Sequence, residues 1–110
     1  MSEKQEQKKL CEYLKTKDLF FYAIPAVSFN KRQGGFPIGY KKGMPDICVP
    51  KLNLYIELKD IKPGKVSSHE EAQARIHNEL RKCGSTVHRC EGFEQAKEVI
   101  DKILEANEKI

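Results

Sequence analysis

Two carboxylates bracketing one short hairpin constrain this chain more than any other feature. Ile47-Cys48-Val49 is apolar, Pro50-Lys51-Leu52-Asn53 is rich in turn residues, and Leu54-Tyr55-Ile56-Glu57 is apolar again, so the three read as strand, four-residue turn and strand. A register symmetric about that turn puts Val49 opposite Leu54 and Asp46 opposite Glu57. Directly opposed side chains of an antiparallel pair lie about 5 Å apart at Cβ, and two like charges so placed destabilise a sheet unless something neutralises them. A divalent cation would do so. Because side chains alternate along a strand, Glu57 and Lys59 share one face while Leu58 points into the core.

Such a set suits phosphodiester hydrolysis, which requires charge neutralisation at the phosphate, an activated water and stabilisation of the leaving oxygen. Mg²⁺ is commonly held by one or two carboxylates plus water and substrate oxygens, so Asp46 and Glu57 suffice. Lys59 would reach the phosphate and stabilise developing negative charge. An exposed strand face of alternating charge accounts for Glu57 and Lys59 taken alone. It does not account for the paired Asp46, the glycine and proline just before it, or the basic segments flanking each strand.

Those basic segments carry the charge asymmetry. Residues 30–65 hold eight basic side chains (Lys31, Arg32, Lys41, Lys42, Lys51, Lys59, Lys62 and Lys65) against three acidic ones (Asp46, Glu57 and Asp60), a surplus of +5. The whole chain is +4, so the remainder is −1 and the positive charge surrounds the carboxylates. Solvated loop lysines would look the same in isolation, but around an acidic pair they suit a polyanion such as nucleic acid.

The rest of the chain supplies a frame. With 110 residues, 39% hydrophobic and 33% charged, the expectation is one globular α/β domain over 1–110, of a size that oligomerisation would help. Ser2-Glu3-Lys4-Gln5 has the form of a capping box, and Leu10, Cys11 and Leu14 continue a helix to about Lys17. Residues 19–24 are aromatic and apolar and predict a buried strand; residues 28–43 predict a long loop. After the hairpin, Lys62-Pro63-Gly64-Lys65 predicts a turn, and Ser68-His69-Glu70-Glu71 opens a helix with Ala72, Ile76, Leu80 and Cys83 on its apolar stripe, stopping at Gly84. Thr86-Val87-His88-Arg89-Cys90 predicts a strand, and Phe93, Ala96, Val99, Ile100, Ile103 and Leu104 a final amphipathic helix. Cys11, Cys48, Cys83 and Cys90 lack CxxC spacing and read as reduced thiols, with a Cys83/His88/Cys90 zinc site a weaker alternative. No run is apolar enough for a bilayer or a secretory signal, so a cytoplasmic, non-secreted protein without membrane attachment is expected.

Gly43-Met44-Pro45-Asp46, then Ile56-Glu57-Leu58-Lys59, then Gln73 followed by Leu80 and Gly84, resembles the VRR-NUC family of the PD-(D/E)XK nuclease superfamily, in its stand-alone phage or viral form. The resemblance implies a mixed central sheet flanked by helices, in the order α-β-β-β-α-β-α. It implies that Asp46, Glu57 and the Leu58 main-chain carbonyl bind Mg²⁺ or Mn²⁺, that Lys59 is the catalytic lysine and that Gln73 orders the site. It also implies a first-helix glutamate, Glu3 in preference to Glu6. The family serine usually stands nearer the glutamine than Ser67 and Ser68 do to Gln73, which implies a longer loop. The activity implied is that of a homodimeric, metal-dependent endonuclease on branched DNA such as four-way (Holliday) junctions, in the cytoplasm or that of a host cell. Lys31, Arg32, Lys41, Lys42, Lys62 and Lys65 would contact DNA; Phe29, Phe36, Ile38 and Tyr40 would join the first helix in the dimer interface, pack beneath their own loop or stack on unpaired bases. A flap, nick or end-processing nuclease and a non-catalytic nucleic-acid-binding module are the alternatives.

Overall fold

The structure, a computed structural model, describes residues 3–24, 35, 39, 41, 43–59 and 68–108. The elements follow the expected order: α1 (Glu3–Thr16), β1 (Tyr22–Ala23), β2 (Ile47–Val49), β3 (Leu54–Leu58), α2 (Ser68–Lys82), β4 (Thr86–Cys90) and α3 (Phe93–Glu108). The four strands form one mixed sheet in the order β1-β2-β3-β4, antiparallel except for the parallel pair β3–β4. The predicted turn at 62–65 and most of the predicted loop at 28–43 lie outside the described residues.

Strand alternation divides the sheet into two unlike faces. Leu54, Ile56 and Leu58 enter a core with Ile47, Val49 and Cys90, against Leu10 and Leu14 of α1 and Ala96 and Ile100 of α3. Each is almost completely removed from water, worth roughly 1.5–3 kcal/mol for a large aliphatic side chain. Tyr55 and Glu57 point the other way, toward the side occupied by α2. Helices therefore cover both faces, with α1 and α3 paired on the apolar side.

Local chemistry sets the element ends. Asn53 adopts a left-handed conformation (φ 49°) after the 3₁₀ turn Pro50–Leu52, which its short polar side chain tolerates. Its side-chain amide donates to the Gly84 carbonyl, its side-chain carbonyl accepts from the Ser85 hydroxyl, and its main-chain carbonyl accepts from Thr86 N–H, so the hairpin turn is tied to the start of β4. α2 ends as expected at Gly84 (φ 90°): Ser85 N–H donates to Leu80 O and Gly84 N–H to Arg81 O, the two bonds of a Schellman cap. α3 begins after Gly92, which has no side chain to cap with. Glu6 of α1 supplies the acceptor instead, its Oε2 taking the Phe93 N–H at 3.1 Å.

Two expectations need correcting. The segment 19–24 is not a buried strand: only Tyr22 and Ala23 pair, both are exposed, and β1 is the sheet edge. Leu19 alone of that run is buried in the core, because the left-handed turn at Asp18 that ends α1 directs it there. In α2, the most buried described side chains are not Ala72, Ile76, Leu80 and Cys83 but the polar Gln73 and His77; Cys83 is exposed.

Candidate active site

The site is assembled where the sheet's regular pairing ends. Residues Ile47↔Ile56 and Val49↔Leu54 keep the expected register, but it stops one residue short of the carboxylates. Asp46 donates its N–H to the Ile56 carbonyl at 3.1 Å, and its Oδ2 accepts the Leu58 N–H at 2.8 Å. The predicted face-to-face pairing of Asp46 and Glu57 is thus replaced by two bonds that straddle Glu57. The Asp46 carbonyl also accepts Ile24 N–H at 2.8 Å, so this one residue is held from the β1 side and from β3. Pro45, without an N–H, cannot extend the ladder, and the chain turns away through Gly43 (φ 98°). A Cβ at Gly43 would lie 2.7 Å from the Ala72 carbonyl carbon and 2.8 Å from Gln73 N. Only glycine lets this strand approach the α2 backbone so closely.

That approach puts α2 over Glu57. The Gln73 side-chain amide donates to Glu57 Oε1 at 2.6 Å, with both residues buried (7% and 2% exposed). One turn along, His77 (6% exposed) brings Nε2 to 3.9 Å from the same oxygen. That distance is too long for a hydrogen bond, and His77 Nε2 has no hydrogen-bond partner among the described residues. Burial, reinforced by the positive charges of Arg81, Arg89 and Lys59 and opposed by Asp46, pushes the imidazole below its ordinary value of 6.5. His77 is therefore neutral near pH 7, and its contact with Glu57 is polar rather than an ion pair.

Of the residues singled out from sequence, the structure brings together Asp46, Glu57, Leu58 and Gln73, with Lys59 next along the chain. Lys59 is half-buried, and its N–H donates to the Cys90 carbonyl at 2.8 Å. Glu6 is committed to the α3 cap, and the Glu3 side chain lies outside the described residues. Lys41 is exposed; Lys31, Arg32, Lys42, Lys62 and Lys65 lie outside the described residues, as do Phe29, Phe36, Ile38, Tyr40 and Ser67 and the side chain of Ser68. Cys90 is buried on the α1/α3 face and Cys83 is exposed at the end of α2, so they are not gathered with His88 around zinc, and all four cysteines are free thiols. His77 was missed. Its position four residues after Gln73 was the available signal, since i and i+4 share a helix face.

Among the described residues no group of three or more His, Cys, Asp or Glu side chains forms a metal cage. The oxygen donors at hand are two carboxylates and the Leu58 carbonyl, which fit a hard cation that completes its shell with water; the His77 imidazole nitrogen stands beside them, 3.9 Å from Glu57 Oε1.

Comparison with protein-family models, curated protein sequences and solved structures finds no match to this chain. Among the described residues, no helix is long and apolar enough to cross a membrane.

Proposed function

We propose that the chain is a Mg²⁺- or Mn²⁺-dependent DNA endonuclease of the PD-(D/E)XK type, similar to stand-alone VRR-NUC nucleases and acting on branched DNA such as four-way junctions. The observation that carries the reading is the mode of holding Glu57. A glutamate 2% exposed is oriented by a glutamine side chain at 2.6 Å, beside an aspartate whose own carboxylate is oriented by a main-chain N–H. Buried carboxylates are costly unless charge or hydrogen bonds compensate. Here the Gln73 side-chain amide and the Leu58 N–H supply such hydrogen bonds and fix both carboxylates in place.

Asp46, Glu57 and the Leu58 carbonyl would hold the cation. When bound, it would supply charge neutralisation at the phosphate and a more acidic water. Gln73 fixes the Glu57 carboxylate from the α2 side, so its orientation does not depend on the metal. Lys59, following Leu58 at the end of β3, would neutralise charge developing on the phosphate oxygens. In this reading the protein works in the cytoplasm, as a homodimer.

The test is cleavage of a labelled panel of four-way, flap, splayed and linear DNA with Mg²⁺ or Mn²⁺. EDTA, Asp46→Asn and Glu57→Gln should each abolish cleavage while circular dichroism shows the fold retained. Full activity in EDTA overturns the metal mechanism. Binding without cleavage of any substrate would favour the non-catalytic module.

A further inference from the structure

Among the described elements, α2 packs on the sheet face that carries Glu57, chiefly along β4 and the end of β3. Across its other half, register aligns Tyr22 with Cys48 and Cys48 with Tyr55, so these side chains share the Glu57 face. At the β1 edge that face ends in two aromatic rings, Phe20 (73% exposed) and Tyr22 (45% exposed). They touch with centroids 6.5 Å apart and planes inclined by 51°. Among the described residues they are the large hydrophobic side chains left exposed to water. Two residues beyond Tyr22, Ile24 N–H is bonded to the Asp46 carbonyl, so the aromatic pair and the carboxylate are mechanically one piece. Two strand spacings, about 10 Å, separate β1 from β3.

We infer that Phe20 and Tyr22 form a stacking platform for unpaired nucleobases beside the carboxylates; this rests on the nuclease reading and adds to it a preference for branched DNA that exposes unpaired nucleotides at the branch. A protein contact would also bury aromatics, but the charge of the neighbouring sequence favours a polyanion: residues 30–65 carry a surplus of +5, and Lys41 and Lys59 flank Asp46 and Glu57 in sequence. Bases that have left a duplex can stack on aromatic faces, and such stacking is indifferent to sequence, in keeping with recognition of shape. Lysines would hold the phosphates while the rings hold the bases.

The experiment uses the full chain in EDTA, with 2-aminopurine in one arm of a splayed duplex and at the same position in a fully paired duplex. Wild-type protein should quench the unpaired probe and leave the paired one bright. The double variant Phe20→Ala/Tyr22→Ala should lose the quenching and weaken splayed-arm binding by about tenfold or more, with paired-duplex affinity held within about twofold. Phe20→Tyr and Tyr22→Phe keep the rings and should behave as wild type. Equal losses on both DNAs overturn the inference, as does a double variant that changes only the self-association of free protein in sedimentation. Cleavage in Mg²⁺ is scored separately. Quenching without cleavage retains the platform and removes the nuclease reading; cleavage with no quenching removes the platform alone.

Discussion

Glu57, Gln73 and His77 form a polar cluster in the place where most sheets and helices bury aliphatic side chains, and His77 is its least compensated member. Its Nε2 is buried without a hydrogen bond from the described residues, a loss of roughly 1–3 kcal/mol for a polar group, and the neutral imidazole is the form the site accommodates. This has a pH consequence. In the unfolded chain His77 titrates near 6.5; folded, burial and then Arg81, Arg89 and Lys59 lower it, with Asp46 opposing. The unfolded state therefore binds a proton that the folded state refuses, so the contribution of His77 to stability is intact above pH 6.5 and is lost as pH falls toward the lowered value. One such proton gives a slope of at most about 1.4 kcal/mol per pH unit. Metal-free wild-type protein should lose Tm more steeply than His77→Gln between pH 6.5 and pH 5. Parallel Tm curves would show that His77 is protonated without penalty.

At the level of elements, much was legible and the failures have physical causes. The hairpin was readable because turn chemistry and a two-residue period agree, and Val49↔Leu54 follows from both. That register did not carry through to Asp46 because the regular ladder ends one residue before it, where Pro45 and Gly43 turn the chain toward α2. Residues 19–24 are apolar enough for a core strand, yet composition cannot show that the strand will be two residues long and at the edge. The α2 stripe was misplaced for a related reason: hydrophobic periodicity finds apolar faces, and here the face turned to the sheet is polar. First-helix glutamates illustrate the same limit, since spacing alone admitted Glu3 or Glu6. The geometry gives Glu6 a structural task, accepting Phe93 N–H where Gly92 offers no side chain, with its negative charge at the positive end of α3. Glu6→Ala should lower unfolding free energy by about 1 kcal/mol in urea titration, as loss of a cap does, and leave cleavage of a branched substrate near the wild-type rate. Abolished cleavage in a stably folded Glu6→Ala would instead place Glu6 in the catalytic set.

The molecule as a whole is elongated, 49 × 30 × 24 Å, with a radius of gyration of 14.9 Å. A compact domain of this length would measure about 13 Å. Its main apolar core lies on one side of the sheet, between α1, α3 and the strands, while the α2 side combines the polar cluster with buried Cys48 and Val87 and ends in an exposed aromatic edge. Such a shape offers one carboxylate pair per chain. Cutting both strands of a two-fold junction in concert requires two pairs at fixed separation, which a symmetric homodimer supplies. On the nuclease reading, the electrostatic part of DNA binding should follow from the basic residues of 30–65: neutralising Lys41 and Lys42 together should weaken affinity for every DNA sequence and lower the slope of log K against log salt by about 1–2. Assembly is decided by sedimentation at micromolar concentration, where the expected species contains two 12.6 kDa chains and binds one four-way junction. A single 12.6 kDa species, unchanged when a junction is added, removes the dimer and the paired cut together. One carboxylate pair would then act on one strand at a time, and nicks rather than linear products should accumulate from a junction.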